Sequence, residues 1–162
     1  KSKEFSNEFN CKEFGNYDDV INNNNVDAVY ISTPIGTHAK LAIKAAAAGK
    51  HVLCEKPLSR TISEANEMIK VANENNVILK CGFNHRHHPA ILEAKKIFDS
   101  GELGKALFGR CNYGICGRPE YEEEWRSDPN HAAGGQFVEQ GIHAIDDQTR
   151  DVVTGSTNCK VI

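Results

Sequence analysis

The sequence lacks any long hydrophobic run and any excess of positive charge. No apolar stretch in its 162 residues approaches the ~20 residues needed to cross a bilayer, and residues 1–10 contain no apolar segment of the signal-peptide type. Nineteen basic residues stand against 22 acidic ones, giving a net charge of -3, whereas a nucleic-acid-binding domain carries a basic patch. We therefore expect a cytoplasmic protein that binds neither membranes nor nucleic acids.

The sequence also lacks paired cysteines. None of its six cysteines stands in a C-x-x-C pair, which argues against both a zinc ribbon and a disulfide framework in a chain of this length. Cys54 and Cys81 lie within apolar runs, where a free thiol packs as a small hydrophobic side chain. We expect the cysteines to be reduced and buried.

Three short apolar segments predict the strands of a parallel sheet. They span residues 27–33, 51–54 and 77–83, and a proline follows each of the first two, at Pro34 and Pro57. Helical segments alternate with them. Apolar strands in a strand–helix–strand–helix–strand order are typical of an α/β fold, in which helices cover a parallel sheet.

Two helices are predicted between these strands. Thr37 is placed to cap the first, which runs to Ala48 and is ended by Gly49. Thr61 and Glu64 form a capping-box pattern at the start of the second. A spacing of 3.6 residues places four apolar residues of the second helix on one inward face: Ile62, Ala65, Ile69 and Ala72.

The pattern changes after residue 83. A helix is predicted from Pro89 to Gly101, a more alternating strand over 105–116, and a last helix over 136–153. This order predicts the beginning of a second, α+β domain. We place the domain boundary between residues 83 and 84, which gives domains 1–83 and 84–162.

Lys56 is the first candidate for chemistry, because it follows the second strand in the segment Glu55-Lys56-Pro57. In open parallel sheets, ligands bind beyond the carboxyl ends of the strands. A partly desolvated lysine at that edge is suited to proton transfer or to stabilising an alkoxide. An ordinary surface lysine is the alternative.

Glu139 and His143 are the second candidates. On a helix they are four residues apart, so the carboxylate and the imidazole share one face. A histidine oriented by a carboxylate is a competent general base near neutral pH. Taken alone, however, such a pair is more often a solvated contact on a helix surface.

Three histidines stand within the four residues 85–88, which raises the question of a metal site. Adjacent residues point in different directions on either a helix or a strand, and no cysteine or carboxylate is spaced to complete a tetrahedral site. We therefore expect no metal here and interpret the segment as a polar helix entry.

Taken together, these segments resemble the Gfo/Idh/MocA oxidoreductase family. The resemblance rests on residues 26–34, His38, the run from Gly49 to Pro57, the Gly82-Phe83-Asn84 segment, and later motifs in the same order. Those later motifs are the pair Trp125-Arg126 and the glycine-rich helix ending in His143. The similarity covers most of the chain.

The resemblance implies the C-terminal part of a Rossmann-type parallel sheet, followed by the start of an α+β substrate domain. It implies hydride transfer between NAD or NADP and a carbon of a sugar, cyclitol or related polyol, in a parent protein that forms homo-oligomers. Lys56, His143 and Glu139 are implied as catalytic residues. The implied cofactor-binding residues are Thr33, Pro34, His38, Glu55, Asn84, Trp125 and Arg126.

The sequence departs from the family pattern at three residues and in one missing segment. Ile35 stands where the family often has an asparagine, and Ala133 stands where it more often has a glycine. Glu139 stands where the family usually has an aspartate, so its carboxylate reaches one methylene further. The G-x-G-x-x-G turn that holds the cofactor pyrophosphate is absent, so we expect a chain truncated at both ends. Two alternatives stay open: a catalytically incomplete fragment without tight cofactor binding, and a hydrolytic, NAD-using glycosidase of the same family.

Overall fold

The computed structural model describes residues 2–105, 107, 110–113, 119–124, 127–128 and 135–151. Within these ranges three strands form one sheet: β1 (Ala28–Ile31), β2 (His51–Cys54) and β3 (Leu79–Cys81). The α-helices of the same ranges are α1 (Ser2–Glu8), α2 (Tyr17–Ile21), α3 (His38–Ala47), α4 (Ile62–Glu74), α5 (Pro89–Asp99) and α6 (Gly135–Asp151). Short 3-10 turns span Ile35–Thr37, Asn84–His87 and Tyr121–Glu123.

The sheet is parallel, with the strand order β1-β2-β3, as the sequence predicts. Ile31 pairs with Cys54, and Cys54 pairs with Cys81, so the three strands end side by side. The predicted span of β2 is confirmed. The spans predicted for β1 and β3 were too long, because the apolar pattern extends beyond the residues that pair with the neighbouring strand.

Helices cover the sheet, as predicted, and within the described residues they cover one of its two faces. Val29 and Ile31 of β1 and Val52 and Cys54 of β2 point into the core. Helices α3 and α4 cover that face and pack against each other. The alternate residues of β1 and β2, Tyr30 and Leu53 among them, are exposed.

Alanines let α3 pack closely against the sheet and α4. Ala42, Ala45 and Ala46 are almost fully buried, and Gly49 ends the helix with a φ of 75°, a left-handed conformation that glycine adopts without strain. Thr37 occupies the N-cap position of α3, as predicted, but its side chain makes no capping hydrogen bond. A 3-10 turn precedes the helix, and the Thr37 hydroxyl donates backward to the Pro34 carbonyl.

Helix α4 begins as predicted but buries a partly different face. The Thr61 hydroxyl accepts a hydrogen bond from the Glu64 amide at 3.1 Å, which confirms the cap. The predicted inward face was right at Ala72, which is buried, but wrong at Ile62 and Ile69, which are exposed, while Met68 is a core residue. Helical spacing alone therefore misplaces part of the buried stripe.

The chain beyond residue 83 is mainly helical where it is described. Helix α5 is confirmed, and α6 begins one residue before its predicted start, while residues 152 and 153 of that prediction lie outside the described ranges. The strand predicted over 105–116 is not formed by those of its residues that the structure describes. Among the described helices, none is both long and apolar enough to cross a membrane.

The four cysteines within the described ranges are all free thiols. Cys54 is buried and Cys81 is half-buried, as predicted, whereas Cys11 and Cys111 are exposed. The expectation of buried thiols was therefore wrong for these two, which lie in loops outside the apolar strands.

Candidate active site

A cavity of about 220 Å³ opens at the carboxyl ends of β1 and β2, where ligands bind in open parallel sheets. Its lining residues are Ser32, Thr33, Ile35, His38, Glu55, Lys56, Pro57 and Glu139. Most of them belong to the segments that follow the two strands, whereas Glu139 comes from α6. The fold thus brings distant sequence-predicted residues to one place.

The segment after β1 is held by two threonine hydroxyl groups. The Thr37 hydroxyl donates to the Pro34 carbonyl at 2.8 Å, and the oxygens of Thr33 and Thr37 lie 2.7 Å apart. Because the single hydrogen of Thr37 is used on Pro34, Thr33 donates in the second bond. The exposed Thr33 hydroxyl keeps acceptor capacity toward the cavity.

His38 joins the two segments that carry the cavity. Its Nε2 lies 2.8 Å from the Thr33 carbonyl oxygen, and its Nδ1 lies 2.9 Å from the Pro57 carbonyl oxygen. The residue is 2% exposed. With both ring nitrogens engaged by main-chain oxygens, His38 fixes the ends of β1 and β2 relative to each other.

Glu55 is held by a tyrosine that the sequence analysis did not identify. The Tyr30 hydroxyl donates to Glu55 Oε1 at 2.6 Å, and the Lys56 amide donates to Oε2 at 3.1 Å. This hydrogen bond to the carboxylate raises the pKa of Tyr30. A Cβ at Gly82 would lie 3.3 Å from Glu55 Oε1, so the neighbouring strand end approaches closely because it carries glycine.

Lys56 connects the sheet to α6. Its half-buried ammonium group donates a hydrogen bond to the Glu139 main-chain carbonyl at 2.9 Å. The bond spans 83 residues of sequence. Lys56 is therefore a residue of an inter-element contact, which rules out the alternative of an ordinary surface lysine.

Glu139 and His143 are buried, which corrects the interpretation of a solvated pair. Glu139 is 7% and His143 is 4% exposed. The two residues lie one turn apart on the face of α6 that meets Lys56. Helical spacing places them on one face, but their burial comes from packing against segments that are distant in the sequence.

A layer of rings and charges surrounds His143. The His85 ring stacks on it with centroids 4.1 Å apart and an interplanar angle of 19°. Phe83 and Tyr113 place their rings 6.2 Å from it. His85 Nδ1 lies 3.1 Å from Asp147 Oδ2.

Arg86 and Asp146 form an ion pair beside these rings. Arg86 Nε donates to Asp146 Oδ2 at 2.8 Å, and its terminal nitrogen donates to the other carboxylate oxygen. The guanidinium also lies over the Phe83 ring, 4.9 Å from its centroid. This bidentate pair ties α6 to the turn after β3.

The environment of His143 favours its neutral form. Burial lowers the pKa of His143, and the nearby charges of His85 and Lys56 lower it further, against the opposing effect of Asp147 and Asp146. A neutral imidazole accepts a proton at neutral pH. His143 thus has the protonation state of a general base.

Four other predicted residues contribute less to the described geometry. Pro34 is half-buried beside the cavity, and Asn84 is exposed at the start of the turn after β3. Trp125 and Arg126 lie outside the described residues. In the part of the chain that is described, no group of three histidine, cysteine or acidic residues is arranged to hold a metal.

Three side chains of this region were not assigned by the sequence analysis: Tyr30, His85 and Tyr113. Tyr30 faces out of the strand that precedes the cavity, a position that strand alternation predicts once the sheet is known. His85 and Tyr113 both contact His143 from segments that lie well before α6 in the chain. No local pattern signals such contacts.

The polar groups at the cavity fit a nicotinamide nucleotide. Thr33 offers a hydroxyl and Glu55 a carboxylate, both partners for ribose hydroxyl groups. His143 Nδ1 is buried and has no hydrogen-bond partner within the described ranges. Lys56 supplies positive charge at the same edge.

Comparison with known families accounts for nearly the whole chain. Residues 1–83 match the model described as an oxidoreductase family with an NAD-binding Rossmann fold. Residues 91–155 match the model of the GFO/IDH/MocA C-terminal domain. The chain belongs to the Gfo/Idh/MocA oxidoreductase family. The fold class inferred from the sequence is confirmed.

Individual relatives are dehydrogenases and reductases by name. A levoglucosan dehydrogenase of Pseudarthrobacter phenanthrenivorans is 35% identical over 136 residues, which cover 83% of this chain and 33% of the relative. The NAD(+)-dependent scyllo-inositol 2-dehydrogenase of Bacillus subtilis is 35% identical over 128 residues, covering 79% of this chain and 36% of the relative.

Solved structures give the same result. A levoglucosan dehydrogenase in complex with NADH and levoglucosan matches with a TM-score of 0.85 at 32% identity, covering 93% of this chain and 42% of that one. A 3-ketoreductase from Actinomadura kijaniata in complex with NADP matches with a TM-score of 0.81 at 28% identity, covering 93% of this chain and 45% of that one. The chain spans between a third and a half of the length of these Gfo/Idh/MocA proteins.

Proposed function

We propose that this chain carries part of the active site of an NAD(P)-dependent dehydrogenase or reductase that acts on a carbinol carbon of a sugar, cyclitol or related polyol. The observation that carries the proposal is the hydrogen bond from the Lys56 ammonium group to the main-chain carbonyl of Glu139. Glu139 lies one helical turn before His143, whose surroundings favour the neutral imidazole. The named relatives favour hydride transfer over the hydrolytic alternative.

The chain's own residues perform the acid–base part of this chemistry. Oxidation of a carbinol requires that its hydroxyl proton leave as the carbon gives up a hydride, so His143 takes that proton. The Lys56 ammonium stabilises the negative charge that develops on the same oxygen. In the reverse direction, His143 returns the proton to the oxygen as the carbonyl carbon receives the hydride, and Lys56 again stabilises the negative charge on that oxygen.

NAD or NADP, when bound, supplies the acceptor or donor of the hydride. Thr33, Pro34, Glu55 and Asn84 are proposed to bind it, with Trp125 and Arg126 closing over the site. His38 is buried and bonded to main-chain oxygens, so we propose that it acts by holding Thr33 and Pro57 in place. Glu139 is proposed to orient His143.

The finer parts of the expectation from sequence are also proposals. We propose a cytoplasmic location, with which the free thiols of the four described cysteines are consistent. The domain boundary between residues 83 and 84, the homo-oligomeric state of the parent protein and the choice between NAD and NADP all belong here. The sheet face that is exposed in the described residues offers one surface for assembly with further protein.

The test is a screen of sugars and cyclitols, levoglucosan and scyllo-inositol included, with NAD+ and NADP+ at millimolar concentration. Formation of reduced nicotinamide is followed by its absorbance. Lys56→Met should lower kcat on the order of 100-fold, because one group that stabilises the developing charge is lost. Lys70→Met removes an exposed lysine of α4 and should leave the rate unchanged.

Two outcomes would sink this proposal. One is the absence of any reduced nicotinamide with every substrate pair, which would favour the catalytically incomplete alternative. The other is a Lys56→Met variant that is as active as Lys70→Met.

A further inference from the structure

His85 stacks on His143 but has no part in the proton transfer described so far. The two rings lie nearly parallel, with centroids 4.1 Å apart. His85 also approaches a carboxylate, since its Nδ1 lies 3.1 Å from Asp147 Oδ2. Tyr113 closes the group, with its ring 5.6 Å from His85 and 6.2 Å from His143.

Two imidazole rings at this distance do not both carry a proton readily. Like charges about 4 Å apart repel strongly in a partly buried site, so protonation of one ring disfavours protonation of the other. The Asp147 carboxylate contacts His85 directly, whereas His143 Nδ1 has no hydrogen-bond partner within the described residues. Of the two rings, only His85 thus has a carboxylate in direct contact with a ring nitrogen among the contacts of the described residues.

The remaining charged groups near His143 are Lys56, Asp146 and Glu139, and of these the Asp146 carboxylate, like Asp147, opposes the effect of Lys56. The Lys56 ammonium opposes a proton on His143 from the sheet side. The Asp146 carboxylate is engaged by Arg86 through a bidentate ion pair. Glu139, one turn before His143 on the same helix, is buried.

We propose that His85, held by Asp147, is a positioning residue that keeps His143 in the neutral, proton-accepting form. The inference rests on the proposed function, because it assigns to His85 a part in preparing the base of that reaction. The chemical consequence concerns one proton only. His143 receives it from the carbinol oxygen, and repulsion by His85 then favours its release to solvent.

The test is a measurement of the pKa of His143 by NMR in histidine labelled with 13C at Cε1. The chain contains seven histidines, and the resonance of His143 is identified by its loss in His143→Gln. In His85→Gln the imidazole that stacks on His143 is replaced by a group that does not ionise, and the pKa of His143 should rise by about one unit. His85→Phe keeps a ring in the stack without the charge and should give the same rise.

Two further variants separate charge from structure. His85→Arg keeps a positive charge beside Asp147 and should leave the pKa of His143 as low as in the original chain. His87→Gln removes an exposed histidine of the same turn and should change nothing.

An unchanged pKa in both His85→Gln and His85→Phe would overturn the proposal. An equal rise in His85→Arg would also overturn it, since a structural disturbance would then account for the shift. The titration requires neither cofactor nor substrate. Failure of the dehydrogenase assay would therefore leave the titration result unchanged. An unchanged pKa in the titration would likewise leave the result of the dehydrogenase assay unchanged.

Discussion

Replacing His38 by leucine tests whether a buried imidazole holds the two segments of the cavity together. The Thr33 and Pro57 carbonyl oxygens lie 2.8 and 2.9 Å from its two ring nitrogens. Leucine has a comparable size and no polar atom, so the change removes these contacts while still filling the space. The result is expected in the free energy of unfolding.

The size of the effect follows from the geometry. A buried acceptor that loses its hydrogen bond costs roughly 1–3 kcal/mol. A neutral imidazole donates through one nitrogen at a time, so one of the two contacts of His38 is counted in full. We therefore expect His38→Leu to lower the free energy of unfolding by about 2 kcal/mol, which is a large part of the stability of an ordinary domain.

Urea unfolding followed by far-UV circular dichroism measures this loss. His87→Leu is the matched control, because His87 is exposed and surface substitutions usually change stability by about 0.5 kcal/mol or less. A loss in His38→Leu no larger than that of the control would refute the reasoning. It would show that the main-chain oxygens are satisfied without the ring.

Two further predictions concern ionisable groups. Burial raises the pKa of Cys54 to about 12, so in the folded chain at about pH 8 iodoacetamide should modify the exposed Cys11 and spare Cys54; mass spectrometry showing equal rates would contradict this. The pKa of His143 is lowered from its ordinary value of 6.5, so the unfolded chain takes up this proton first as the pH falls below 6.5. The free energy of unfolding should therefore decrease as the pH falls from 6.5 to the pKa of His143 in the folded chain. Urea titrations of His143→Gln at several pH values should show a shallower dependence on pH. An identical slope in that variant would count against the assignment.

The sheet was predictable because its signals are local. The apolar runs that form β1 and β2, each followed by a proline, locate the strands, and Thr61 locates the start of α4. The errors arose where tertiary packing decides. Ile62 continues the helical spacing of α4 but is exposed, and Thr37 bonds backward because a 3-10 turn precedes α3.

The site was predictable in part for the same reason. Lys56 and Thr33 follow strands whose ends must meet in a parallel sheet, so their common location follows from topology. The burial of Glu139 and His143 does not, because it depends on where α6 packs. The contact between His85 and His143 joins two segments that are far apart in the sequence, and no pattern within either segment signals it.

The bond between Lys56 and the Glu139 carbonyl also bears on the order of folding. The pairing of β1 with β2 closes a short loop, from Ala28 to His51, whereas this bond joins residues that are 83 positions apart in the sequence. Contacts of high sequence separation cost more chain entropy and tend to form late. We therefore expect the acid–base pair to come into existence only when α6 docks on an already folded sheet. Native-state hydrogen exchange would show this as faster opening of the α6 amides than of those in β2.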